Sequence, residues 1–419
     1  MNAVLDELKW RGLVYQSTDE AALAAHLDEG PVSGYVGFDP SAPSIHFGNL
    51  VQLMVWRRLQ EAGHKPVLLV GGATGLIGDP RMSSERNLNP KEVVDGWVER
   101  IRSQVTKFVS FEGSNGAEVV NNYDWTQNIS TLDFLRDVGK HFSVNRMLAR
   151  DVVATRLESG ISYTEFSYIL LQSLDYRELY RSKGVTLQTG ASDQWGNISS
   201  GVELIRRSEG ARVHGLVTPL LTKADGTKFG KTESGTVWLD PAMTSPYAFH
   251  QFFLNAEDAK VIDYLKVFSW RDHDEIEHLA HLTETEPFRR AAQKALADDI
   301  TDLVHSPAER EAAVAAAQAL FGRGELDALP AATLQAVMKE VGAARVSGPE
   351  LPTVVDAMVL AGVVASKSAA RRAVDEGGAY LNNQKVTDPE QWLTTEDLLA
   401  GHYAVLRRGK KTIGGLVLD

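Results

Sequence analysis

The sequence predicts an α/β protein: a parallel-sheet domain wrapped by helices, followed by an α-helical domain and a small α+β module. From residue 32 to 221, short apolar runs alternate with helical patterns, the signature of parallel strands joined by crossover helices. From about 236 to 325 the strand-like alternation stops and helical spacing takes over, with Tyr264, Leu265, Ile276 and Leu279 among many charged residues. A length of 419 residues also exceeds one ordinary core, so two or three domains are expected. The boundaries read as 1–235 for the sheet domain, 236–325 for the helical domain, 326–350 for a linker rich in Gly, Pro and Ala, and 351–419 for the C-terminal module.

Taken in order, the strands are VSGYVGF, PVLLVGG, AEVVNN, VTLQTG and HGLVTPL. Polar residues follow their carboxyl ends: Asp39, then Thr74 and Asp79, then Asn122, then Asp193 and Gln194. Ligands of open parallel sheets bind beyond those ends, so the set marks a site.

Composition narrows the chemistry. The chain is 43% hydrophobic and 23% charged, and no stretch approaches the ~20 apolar residues of a membrane span. Its N-terminus reads as an amphipathic helix, not a secretory signal, which gives a cytoplasmic expectation. No cysteine is present, which excludes disulfides, zinc–thiolate sites and thiol nucleophiles. No structural metal is expected. A net charge of −12 argues against nucleic acid along most of the chain, because phosphates need local positive potential. The excess acid is uneven: residues 351–419 hold eight basic and eight acidic groups.

After the first strand, DPSAPSIHFGNL places Ser44 as a helix cap, with the helix beginning near His46. His46 and Asn49 then share its first turn, where exposed N–H groups favour a phosphate, and Gly48 lets a ligand approach the backbone. A histidine at a helix start is commonly just a cap. The second motif is TKADGTKFGKTESG, with Lys228 and Lys231 three apart in a glycine-bearing loop and Thr232 beside them. Two such lysines suit a triphosphate whose leaving group gains charge in the transition state, although an ordinary solvated loop has the same composition. A third pattern lies in YILLQSLD, where Tyr168, Gln172 and Asp175 fall at i, i+4 and i+7 and share one helix face. On spacing alone it reads as a solvated stripe.

Together, HFGN and KFGKT resemble the HIGH and KMSKS signatures of class I aminoacyl-tRNA synthetases. Further segments, GGATGLIGDP, NNYDW, FLRDVGKHFSVNRML, SYTEFSYILLQSLDY and GASDQWGNI, resemble the bacterial tyrosyl-tRNA synthetase family from about residue 5 to the end. Three departures stand out. Asn49 replaces a histidine, position 191 is alanine where a second glycine is frequent, and RMSSERN after GDP is one residue short and lacks a lysine, leaving Arg81 or Arg86 nearest.

The resemblance implies a Rossmann-like nucleotide-binding domain with ATP as substrate, accompanied by Mg2+. His46, Asn49, Lys228, Lys231 and Thr232 would surround the phosphates. Gly37, Asp39, Gly48, Gly190, Asp193 and Gln194 would hold the rest of ATP. In the tyrosine pocket, Tyr168 and Gln172 would bind the ammonium group with Asp79, Asn122 and Thr74. Asp175 and Tyr35 would take the phenol hydroxyl, supported by Gln188.

Residues 352–386 resemble the S4 RNA-binding module, which implies a tRNA surface from Ser366, Lys367, Ser368, Arg371, Arg372, Asn382 and Lys385. RRGKK adds late charge, and Arg206 and Arg207 could meet the acceptor stem. The family also implies a homodimer through FLRDVGKHFSVNRML to SYTEF. Two rival functions keep this fold: a tryptophanyl-tRNA synthetase, and an RNA-binding protein with a decayed site. A small-molecule nucleotidyltransferase would share the histidine motif but leave the RNA-binding tail unexplained.

Overall fold

The computed structural model describes residues 2–80, 88–232, 235–322, 324–347, 350–409 and 412–418, with the backbone alone for Lys231 and Thr232. The chain forms two compact units: residues 1–240 with 262–276, and residues 241–261 with 277–419.

The first unit is built on a sheet of β1 (Gln16–Ser17), β2 (Ser33–Phe38), β3 (Lys65–Val70), β4 (Glu118–Asn121), β5 (Val185–Ala191) and β6 (His214–Thr218), in the order β1-β6-β5-β2-β3-β4. All five expected strands are present and pair in parallel. The added β1 lies antiparallel on β6. Two residues carry no readable period, which is why it escapes detection from spacing. Val67, Leu68, Leu69 and Val70 are all buried, as a strand covered on both faces requires.

Strand order places the site. From β2 the chain steps outward to β3 and β4, then returns to β5 on the other side of β2, which makes the β2/β5 junction the topological switch point. Pairing of β2 with β3 runs through Phe38↔Val70, whereas its pairing with β5 runs from Ser33↔Val185 to Tyr35↔Gln188. The carboxyl ends of β2 and β5 therefore part into a crevice. Beneath it, Trp56 is fully buried and donates through Nε1 to Thr189 Oγ1 at 2.8 Å. Gly34 makes room for that ring, since a Cβ there would lie 2.3 Å from Trp56.

In the second unit, the helices Pro246–Leu254, Ala291–Val304 and Pro307–Leu320 precede a five-stranded sheet. Once the two-residue strands β7 (Lys231–Thr232) and β8 (Gly235–Thr236) of the first unit are counted, its strands are β9 (Ala344–Val346), β10 (Ala379–Leu381), β11 (Gln384–Lys385), β12 (Tyr403–Arg408) and β13 (Thr412–Leu418). Their order is β11-β10-β12-β13-β9, with the helices Val354–Leu360 and Lys367–Asp375 packed on them through Met358, Ala370 and Val374.

Two expected boundaries are corrected. Residues 326–350 are no simple linker: they hold the helix Ala331–Glu340 and β9, which adds to β13 in parallel. Leu334, Val337 and Met338 share one core with Ala313, Leu320 and Val405, so the helices and the C-terminal sheet are a single body. Residues 262–276, expected in the helical domain with Tyr264, Leu265 and Ile276, belong to the first unit.

Candidate active site

The helix Phe47–Glu61 starts one position after its expected beginning near His46. His46 is the N-cap: its Nδ1 accepts from the Gly48 N–H at 3.1 Å, while Asn49 Oδ1 accepts from the His46 N–H at 3.1 Å. This closed capping box explains how asparagine serves where the resemblance has histidine. Accepting at Nδ1 puts the proton of the neutral ring on Nε2. Ser44, the expected cap, instead donates to Gln104 Oε1 at 3.1 Å and accepts from the Asp240 N–H at 3.1 Å.

The double-lysine loop lies against this turn. His46 forms an antiparallel bridge with Trp238, Leu239 N–H donates to Ile45 O at 3.1 Å, and Val237 N–H donates to Gly230 O at 2.9 Å. The rings of Phe47 and Phe229 sit 5.9 Å apart. Gly230 has a φ of 87°, and a Cβ on it would come within 2.8 Å of Phe47; glycine permits both the backbone and the approach. Lys228 is exposed, while the side chains of Lys231 and Thr232 lie outside the description.

The polar stripe of the helix Tyr163–Lys183 faces inward, not to solvent. Tyr168 and Asp175 are buried. Tyr168 Oη donates to Asp39 Oδ2 at 2.6 Å, and Thr74 Oγ1 donates to Asp39 Oδ1 at 2.6 Å. Gly71 is required here, because a Cβ would stand 2.2 Å from Asp39 and 2.3 Å from Thr74. Asp175 Oδ2 accepts from Asn122 Nδ2 and its Oδ1 from Trp125 Nε1, both at 2.9 Å. Burial pushes the Asp175 carboxyl up to about 8 despite those two donors. Burial, then the nearby Asp175, holds the Tyr35 hydroxyl well above its ordinary range.

Tyr35 Oη, Gln172 Oε1 and Gln188 Oε1 are buried with no hydrogen-bond partner among the described residues. Such atoms cost about 1 to 3 kcal/mol each when unmatched, so they mark where a polar ligand fits. Two expected ligands also have partners within the fold. Asn122 Oδ1 accepts from the Ala73 N–H at 2.7 Å and its Nδ2 donates to Thr74 Oγ1 at 2.9 Å as well as to Asp175. Asn122 and Thr74 thus brace the two carboxylates. Trp125, whose role nothing in the NNYDW segment signals by spacing, does the same for Asp175.

At the far side of the crevice, Asp79 accepts from Gln194 Nε2 at 2.8 Å and from Asn197 Nδ2 at 3.2 Å, and Arg150 donates to Asn197 Oδ1 at 2.7 Å. Gly37 and Gly190 lie at the diverging ends of β2 and β5, with Asp193 exposed just beyond. Arg81 and Arg86 fall outside the described residues.

Arg206 and Arg207 both grip Glu203, at 2.7 and 2.6 Å, and the Arg206 bond leads in holding that carboxyl down to about 2. Arg207 also lines a groove of about 540 Å³ with His141, Arg146, Arg150, Ser199 and Glu203.

In the second unit, the helix Lys367–Asp375 is capped by Ser366 and exposes Lys367, Ser368, Arg371 and Arg372. Lys367 pairs with Asp356, and Arg371 with Glu390 at 3.2 Å. Lys385 is exposed on β11. Asn382, expected on the RNA surface, turns the β10–β11 hairpin at φ 48°, donates to Asp397 O at 2.5 Å and accepts from the Val405 N–H at 2.8 Å.

A parallel sheet with its switch-point crevice, bordered by a histidine helix start and a double-lysine loop, defines a class I aminoacyl-tRNA synthetase. A family model for "tRNA synthetases class I (W and Y)" matches residues 27–322, and one for the "Tyrosine--tRNA ligase SYY-like C-terminal domain" matches residues 333–413. The chain is 67% identical over 416 residues to a tyrosine–tRNA ligase of Cutibacterium acnes, covering 99% of this chain and 100% of that one. It is 57% identical to one of Streptomyces avermitilis, covering 99% of each. A C-terminally truncated mitochondrial tyrosyl-tRNA synthetase of Coccidioides posadasii has a similar structure, with a TM-score of 0.66 at 30% identity over 75% of this chain and 91% of that one. The chain belongs to the bacterial tyrosyl-tRNA synthetase family.

Proposed function

We propose that this chain joins L-tyrosine to ATP as tyrosyl-adenylate and passes the tyrosyl group to the 3′ end of tRNA(Tyr). The observation that carries the choice of amino acid is the buried pair of Asp175, an acceptor, and Tyr35, whose hydroxyl has no partner among the described residues. A phenol both donates and accepts, so it answers both groups at once. An indole N–H only donates, and a phenyl ring does neither. This separates tyrosine from tryptophan, the substrate of the nearest rival. The braced, closed geometry around Asp175 also speaks against a decayed site.

In the first step a tyrosine carboxylate oxygen attacks the α-phosphorus, and the bond to pyrophosphate breaks. No protein nucleophile is needed, so catalysis rests on alignment and charge stabilisation. His46 and Asn49 would meet the phosphates at the helix N-terminus; Lys228, Lys231 and Thr232 would close on the leaving pyrophosphate. Mg2+ would arrive on the triphosphate. Tyr168, Gln172 and Asp79 would hold the ammonium group, while Gly37, Asp39, Gly48, Gly190, Asp193 and Gln194 would seat ribose and adenine. In the second step a terminal ribose hydroxyl of tRNA attacks the activated carbonyl and AMP leaves. Lys367, Arg371, Arg372 and Lys385 would bind tRNA phosphates, and Arg206 and Arg207 the acceptor stem.

ATP–pyrophosphate exchange with each of the twenty amino acids tests this reading. Tyrosine alone should support rapid exchange, and equal exchange with tryptophan or phenylalanine would refute it. A homodimer is part of the proposal, because Leu135, Val144, Leu157 and Tyr163 are large apolar residues left exposed in the stretch expected as an interface. Gel filtration at the mass of one chain would remove that part. Work on tRNA sets the proposed location in the cytoplasm.

A further inference from the structure

Residues 221–229 form a small hairpin. Phe229 N–H donates to Leu221 O at 3.0 Å, Thr222 bridges Lys228, and Lys223 N–H donates to Thr227 O at 2.8 Å. Asp225 closes the turn by accepting from the Thr227 N–H at 2.8 Å and its hydroxyl at 2.6 Å. One side chain from outside touches both strands. Tyr264 stacks on Phe229 with ring centroids 4.0 Å apart and planes 28° apart, and its hydroxyl donates to Thr222 O at 2.9 Å.

The mount for Tyr264 is itself fixed. After its helix turn, Arg11 donates to Lys266 O at 2.9 Å and Arg271 O at 3.0 Å, and Arg58 donates to Val267 O at 3.1 Å and Ser269 O at 2.8 Å. Arg58 stands on the helix that His46 opens. The histidine turn and Tyr264 are therefore tied to opposite ends of one rigid helix, and the lysine hairpin hangs from the second tie.

We propose that Tyr264 is a positioning residue for adenylation, clamping the hairpin so that Lys228 reaches the departing pyrophosphate. This rests on the reading of Lys228 and Lys231 given above. Groups misplaced by about 1 Å can cost ~100-fold in rate, whereas a single lost hydrogen bond costs about 2- to 10-fold. Tyr264→Phe keeps the stack and loses the tether; Tyr264→Ala loses both.

The test is the single-turnover rate of tyrosyl-adenylate formation, with tyrosine Kd measured alongside, for Tyr264→Phe, Tyr264→Ala and Lys228→Ala, singly and combined. Tyr264→Ala should slow the step ~100-fold with tyrosine Kd unchanged, and Tyr264→Phe about 2- to 10-fold. In the Lys228→Ala background, Tyr264→Ala should cost far less than it does alone. Phe229→Leu removes the stack from the hairpin side and carries the same expectation should Tyr264→Ala not fold. Equal factors in both backgrounds, or a loss of tyrosine binding matching the loss of rate, would overturn the proposal. An unchanged rate in Lys228→Ala and Lys231→Ala would instead remove the lysine reading, and with it the route by which Tyr264 acts.

Discussion

The tyrosine pocket and the C-terminal basic face use similar residues in opposite settings. Asp175 is 2% exposed and has a donor on each oxygen, whereas the Arg371 side chain is 51% exposed and meets a Glu390 exposed to 69%. A buried polar group must be matched in place, because an unmatched one is costly. An exposed pair contributes about 0 to 1 kcal/mol and is screened by salt. The pocket thus suits selection among similar small molecules, and the basic face suits exchange of a carboxylate for a phosphate.

The largest effect should come from the most buried ion pair, Arg156 with Glu165 at 3.2 Å. Arg156→Met removes the guanidinium that meets this buried carboxylate, so urea unfolding should show a loss of about 3 to 5 kcal/mol. A loss below ~1 kcal/mol would erase the contrast between buried and exposed charge. Next, Asp175→Ala should narrow the preference for tyrosine over phenylalanine by about 10- to 100-fold, as about 1 to 3 kcal/mol per unmatched group implies. Preserved kcat/KM ratios would show that the carboxylate does not meet the phenol.

The pocket should also show in stability against pH. The folded Asp175 titrates near 8 and its unfolded form near 3.8, so the folded chain keeps a proton that the unfolded chain has lost. Stability from this group is full below the lower value and drains away as pH rises through the upper one. Relative to Asp175→Asn, the native protein should lose ground by up to several kcal/mol between about pH 4 and pH 8, and a pH-independent difference would be contrary to this. A fixed cost of the asparagine does not alter the slope.

Smaller effects belong to the basic face. Arg371→Ala should weaken tRNA binding and lower the slope of log affinity against log salt by roughly 1, with adenylation untouched; an unaltered slope would remove Arg371 from the phosphate contacts. Asn382→Ala should do the reverse. It forces a Cβ residue other than asparagine into a left-handed turn at about 1 to 2 kcal/mol and should lower the melting temperature while leaving the salt slope alone.

These contrasts follow how far each part could be read from sequence. Runs such as PVLLV announce buried strands, and the residues expected at the crevice stand there because strand ends are a property of order along the chain. Hydrogen-bond partnership is a property of the fold. Spacing could not tell that Asn122 and Thr74 brace carboxylates, that Trp125 joins them, or that Gly71 leaves space for Asp39. The helix Ala331–Glu340 was hidden by neighbouring Gly and Pro, although Leu334, Val337 and Met338 carry its helical period.

Because residues 262–276 rejoin the first unit after 241–261 have entered the second, the two units are interleaved along the polypeptide. Gene recombination at one crossover point cannot trade either unit whole between relatives. A working chimera needs matched junctions near 240, 261 and 276, so any single exchange carries parts of both units.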